Sequence, residues 1–185
     1  KQEHYIRDRL GNPVLECMCG NVIRGRTDPS LPFFTEFGSF YTNNTTALLA
    51  STSEKDRQSR TRNRCQEEGY ESVALIPLRY GSEILGLLQF NDPKKNRFDE
   101  NKIQLFERLA SNLALGIIQK QTEEELRQSE EKFRGLFENA PLGIFRSNLK
   151  GIPLMANGTM ARMFGFDNPA EFLDYYSKSG EQLFA

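Results

Sequence analysis

Cys17, Cys19 and Cys65 are the most reactive side chains in this sequence of 185 residues. Residues 13–23 read PVLECMCGNVI, and their alternation predicts a strand with Leu15, Cys17 and Cys19 on one face. Two thiols so placed stand about 7 Å apart. With Cys65 they admit three readings: ordinary thiols packed as small apolar groups, a redox-sensing pair, or ligands to a metal or haem. The residues favour the first. Structural zinc and iron–sulfur clusters take four protein ligands. The one histidine, His4, sits near the terminus, and nothing in the spacing makes Asp28 a fourth ligand. An odd, low cysteine count also argues against a disulfide scaffold and suits a reducing cytoplasm.

Two other clusters could bind ligands. Arg57, Arg60 and Arg64 share a face of a helix predicted over Thr46 to Arg64. Such a face can take an anion, but Glu54, Asp56, Glu67 and Glu68 flank it, which reads as a solvated, self-paired surface. The segment 27–43 is rich in aromatic residues. Phe33, Phe34, Phe40 and Tyr41 could line a pocket for an apolar or planar ligand, with Ser39, Thr42 and Asn43 as polar contacts. Equally, these residues could form a satellite core beneath a long loop. Catalysis finds no support. The chain has no G-x-x-x-x-G-K-[ST] loop, and one N-terminal histidine cannot build a Ser/His/Asp triad.

The elements that must position these groups follow from periodicity. Ser72 to Pro77 reads as a β-branched strand, Arg79 to Ser82 as a turn, and Glu83 to Asn91 as the paired strand. Asp99 or Glu100 opens a long helix reaching about Glu138. Its stripe is Ile103, Phe106, Ala110, Leu113 and Ile117. That frame then meets Lys120, Glu124 and Arg127, so the stripe must shift. The neighbouring frame is Leu115, Ile118, Thr122, Leu126, Ser129, Phe133 and Leu136, stepping by 3, 4, 4, 3, 4 and 3. The adjacent fours are a stutter, which changes supercoiling. Glu123 to Lys132 is too polar to pack on a globular core, so this stretch is expected to pair as a dimeric coiled coil. After Pro141, strands over 142–146 and 152–156 flank a turn at 148–151, and helices follow over 158–164 and 170–176.

Composition bounds the partners. The net charge of −1 gives no reason to expect nucleic acid or an anionic membrane, and no apolar run nears the roughly 20 residues of a membrane span. A soluble cytoplasmic protein is expected.

Two resemblances organise these elements. GYESVALIPLRYGSEILGLLQFND (69–92) and RFDENKIQLFERLASNLALGI (97–117) resemble the central hairpin and closing helix of a GAF domain. LECMCGN and RTDPSLPFFTEFGSFYTN resemble a GAF subfamily of multidomain bacterial histidine kinases. SEEKFRGLFENAPLGIFRSN (129–148) and the AN..MA.MFGFD pattern (156–167) are similar to the start of a PAS domain. The implied fold is α/β (α+β): a GAF-like antiparallel sheet with flanking helices, a long connector helix and a partial PAS-like segment. The implied domains are 1–118, a coiled-coil signalling helix over 119–138, and 139–185. Both modules look incomplete against their families, so a fragment of a larger sensor is expected, with a homodimer covering the open sheet edges. The Asn-Lys…Phe…Asp-Glu pattern of cyclic-nucleotide-binding GAF domains is broken at Asn91-Asp92 and Phe98-Asp99. No cysteine has the neighbouring histidine of bilin-binding GAF domains. Neither ligand is expected, and another small molecule is left open. No H-box, ATP lid or GGDEF signature is present. The resemblance therefore implies a non-enzymatic sensory segment feeding a histidine kinase. Alternatives are the sensor part of a diguanylate cyclase and a ligand-free dimerisation module.

Overall fold

The computed structural model describes residues 16–57 and 63–179. They fall into two compact units that meet in sequence at Lys120 and Gln121. His4 and Arg60 lie outside the described residues.

The first unit is built on a three-stranded antiparallel sheet in the order β1 (Phe40–Thr42), β2 (Ser72–Tyr80), β3 (Glu83–Asp92). The β2–β3 hairpin turns at Gly81, whose φ of 58° is costly for any residue with a Cβ. β2 is the central strand and is buried on both faces, which explains its unbroken apolar run. Val73 and Leu75 join Met18, Val22, Phe33, Phe34 and Phe40 in one core. Ala74 and Ile76 point the other way and pack with Phe98, Ile103 and Ala110.

The second of these cores is closed by α4 (Glu100–Glu138), one helix of 39 residues. Ile103, Ala110 and Ala114 are its most buried residues here. The expected stripe through Leu113 and Ile117 is corrected: Leu113 is 50% exposed, and Ile117 is exposed as well. At about 100° per residue Leu113 lies roughly 60° from Ala110, whereas Ala114 lies in line with Ile103 and Ala110. Small alanines also let the helix close on the sheet.

The predicted strand over 13–23 is also corrected where it is described, since Met18–Ile23 forms a helix, α1; its first residues, 13–15 with Leu15, lie outside the described residues. The i, i+4 pair Met18 and Val22 faces the core, and in so short a run this pattern competes with alternation. The helix expected from Thr46 to Arg64 is interrupted. α2 spans Thr45–Ser51 and α3 spans Arg64–Glu67. Asn44 caps α2 by accepting from the Ala47 N–H at 2.9 Å. Asn63 enters α3 in the left-handed region, with φ of 53°.

The second unit holds a two-stranded antiparallel sheet, β4 (Phe145–Ser147) and β5 (Pro153–Ala156), and two helices, α5 (Gly158–Met163) and α6 (Pro169–Ser179). Its core is Ala156, Met160, Ala161 and Phe172. Pro169 opens α6, where a missing N–H costs nothing.

Candidate functional site

Cys17 stands at the N-terminal end of α1 and Cys19 lies within it; Cys65 lies in α3. The fold brings the three together although the strand that was to align two of them is absent. All three are thiols, half-buried, and line one cleft of about 280 Å³ with Arg64, Glu68 and Gln89. They also line a smaller inner cavity of about 50 Å³, whose walls include Phe40, Leu48, Leu75 and Arg57. The Gln89 side-chain amide points at the Cys65 sulfur at 3.7 Å. A hydrogen bond with Cys17, together with burial and the nearby Cys17 and Cys65 sulfurs, holds the Cys19 thiol far above its ordinary range. Cys19 therefore keeps its proton.

Sequence reasoning set aside Arg57 as part of a solvated face. The structure buries it: it is 6% exposed. Its Nη1 donates to the Thr52 carbonyl at 2.6 Å and to Thr52 Oγ1 at 2.8 Å, satisfying the C-terminal end of α2. Its own carbonyl accepts from the Asn21 side chain of α1 at 2.7 Å. Arg57 thus ties α1 to α2 behind the thiols. Its Nε finds no hydrogen-bond partner among the described residues. The alternation of acids and arginines concealed this role, because burial of a cation is a tertiary event.

The aromatic segment divides between core and surface. Phe33, Phe34 and Phe40 pack on one another with ring centroids 5.1 to 6.0 Å apart. Phe40 borders the thiol cavity, while Phe34 and Tyr41 border a different cleft of about 290 Å³ beside Glu100, Gln104 and Glu107 of α4. Ser39 is fully buried. Thr42 Oγ1 accepts from the Asn44 N–H at 3.2 Å. Asn43 grips the chain just before α4: its side chain donates to the Phe98 carbonyl at 2.6 Å and accepts the Phe98 N–H at 2.8 Å. Thr35 adds a second tether, its hydroxyl donating to Glu107 at 2.6 Å. The seven residues thus surround no single cavity. Of these, Tyr41 and Asn43 link the sheet to the base of α4.

Leu115, Leu126, Phe133 and Leu136 are exposed on α4; Leu126 is 60% and Leu136 77% exposed. Thr122 is exposed and Ile118 half-buried. At about 100° per residue, Leu115, Thr122, Leu126 and Phe133 fall within roughly 40° of one line.

Among the described residues, no group of three or more His, Cys, Asp or Glu is arranged to hold a metal ion. No helix among them is long and apolar enough to cross a membrane.

A family model for the GAF domain matches residues 11–117, and one for the PAS domain matches residues 131–183. No curated protein matches the chain. Two solved structures are similar. One is a domain assigned to a two-component sensor histidine kinase protein from Sinorhizobium meliloti 1021, at 20% identity and a TM-score of 0.39, covering 52% of this chain and 61% of that one. The other is the GAF domain region of a protein assigned to the membrane from Geobacter sulfurreducens PCA, at 24% identity and a TM-score of 0.39, covering 57% and 59%. The chain spans about three fifths of each.

Proposed function

Because this chain belongs to the GAF domain family and carries a PAS domain match after it, we propose that it relays a ligand or redox state along α4 as part of a sensor histidine kinase. GAF and PAS domains are sensory, and the chain is a signal-transduction sensor segment at that level. The observation that carries the relay is the path from cavity to helix. Phe40 borders the thiol cavity, the adjacent Tyr41 packs on the α4 side of the sheet, and Asn43 holds Phe98 by two hydrogen bonds. A change in the cavity wall thus has a short path of packed and hydrogen-bonded residues to the base of α4. A signal passes only if α4 has two arrangements that the input biases.

The second arrangement requires a partner, and we propose a homodimer through α4. Its support is the row Leu115, Thr122, Leu126, Phe133, exposed or solvent-facing in the single chain. The kinase as output rests on the resemblance of the upstream motifs. The segment catalyses no substrate turnover in this reading, works in the cytoplasm, and binds neither nucleic acid nor membrane. Light scattering on the eluting protein tests it: a dimer is expected, and Leu126→Lys should shift it to monomer. A wild-type monomer at tens of micromolar would overturn the relay through paired helices. A ligand-free dimerisation module is the competing reading. It predicts the same dimer but no thermal stabilisation by any compound or oxidant.

A further inference from the structure

We propose that the cleft holding Cys17, Cys19 and Cys65 is a thiol-redox site, where a hydroperoxide drives formation of a Cys17–Cys65 disulfide that staples α1 to α3. This deepens the sensory reading and rests on it for its purpose, though not for its chemistry.

Four observations converge. All three thiols border the same cleft, and all are half-buried, so a small oxidant can reach them. The roles of the sulfurs differ. Cys19 is hydrogen-bonded to Cys17 and its thiol is held up by that bond and by burial, so it is the least suited of the three to attack an oxidant and leaves Cys17 and Cys65 as the pair. Arg64 borders the cleft, opposed by Glu68 at 4.0 Å, and the buried Arg57 borders the inner cavity, so two arginines line the space around the thiols. Finally, the described residues provide no three-ligand metal arrangement, which separates this chemistry from metal capture.

The Cys17 thiolate attacks a peroxide oxygen, the O–O bond breaks, and the departing alkoxide takes a proton to leave as an alcohol. Cys17 becomes a sulfenic acid. The Cys65 thiol then attacks the Cys17 sulfur, the S–O bond breaks, and water leaves with the thiol proton. Two thiols have lost two electrons to one peroxide. A dithiol reductant reverses the bond by exchange. The consequence is local and directional. Cys19 and Cys65 pack on the core that contains Phe40, Val73 and Leu75, so a bond tying α3 to α1 constrains the wall from which β1 leads to α4.

The test is peptide mapping by mass spectrometry under non-reducing conditions, after the intact chain is treated with tert-butyl hydroperoxide. A Cys17–Cys65 cross-link is expected in most molecules and should vanish with dithiothreitol. Cys65→Ser should stop at a Cys17 sulfenic acid trapped by dimedone, and Cys17→Ser should give neither product. Before oxidation, Cys19 should be the slowest of the three to alkylate, because its thiol is held up and partly buried. Three fully alkylatable thiols after peroxide would overturn the proposal, as would a Cys17–Cys19 or Cys19–Cys65 bond alone, or cross-links only between chains. So would stoichiometric metal in the purified protein. These readouts do not depend on oligomeric state. A monomer that forms the disulfide sinks the helix relay alone, and a dimer that does not form it sinks the redox site alone.

Discussion

Asn157 uses one side chain four times. Its Nδ2 donates to the carbonyls of Phe137 and Leu142, both at 2.9 Å, and its Oδ1 accepts the N–H groups of Ile144 at 3.0 Å and Met160 at 2.9 Å. It is fully buried and caps α5. Asn157→Ala removes a cap and leaves the buried Phe137 carbonyl short of a donor, a loss of about 2–3 kcal/mol. Asn157→Asp keeps the acceptor and should lose less. Urea denaturation measures both, and a loss below about 1 kcal/mol for alanine would show that water replaces the amide. Glu71 offers a prediction in pH. The Thr46 hydroxyl at 2.8 Å, then its N–H at 3.2 Å, donate to the Glu71 carboxylate and hold it below its ordinary value of 4.5. A depressed carboxyl contributes stability that is full above its unfolded value and fades as pH falls through the lower folded one. Unfolding stability should therefore drop below about pH 4.5, and Glu71→Gln should flatten that drop. An unchanged acid limb in Glu71→Gln would sink the assignment. Neither residue announces its role in the sequence. Asn157 reaches Phe137 across 20 positions and Glu71 reaches Thr46 across 25, and such pairings exist only once the chain has folded.

Among the elements, α4 is the one most fully legible beforehand. A long glycine-poor stretch with apolar residues every three or four positions is a helix whatever surrounds it. The β2–β3 hairpin is equally plain, with β-branched and aliphatic runs around Gly81-Ser82. Short elements were not. α1 and α3, of 6 and 4 residues, are below the length at which a helix holds itself, so packing selects them. The two frames of α4 also differ in kind. Ile103 and Ala110 are buried against the sheet and Ala114 is buried as well, while the frame through Thr122 and Leu126 faces outward. Thr122→Leu places a larger apolar group in that outward frame. In the full-length protein it should lock one pairing of the helices and abolish input-dependent output. Output that still follows the input would remove Thr122 from the switch. Surface pairs such as Arg127 with Glu124 and Glu131, all exposed, contribute little to this choice, since exposed ion pairs are worth about 0–1 kcal/mol.

The whole chain behaves as two units, each with its own core. Leu75 is fully enclosed in the first. Leu75→Ala should cost that unit about 2–5 kcal/mol, while amide protection of Met155 and Ala156 in β5 stays at the wild-type level in hydrogen exchange. Equal loss of protection in both would show a single cooperative unit. The α/β architecture, the hairpin, the long helix and the GAF and PAS resemblances are carried by local pattern: periodicity and turn chemistry act over a few residues, so they can be read without coordinates. Three-dimensional packing alone decided the rest. It gathered Cys17, Cys19 and Cys65 at one cleft from two short helices, buried Arg57 among apolar walls, and split the aromatic segment between a core and the base of α4. Those outcomes depend on contacts between residues tens of positions apart, and burial, which sets a thiol's proton or a cation's cost, has no value until those contacts form.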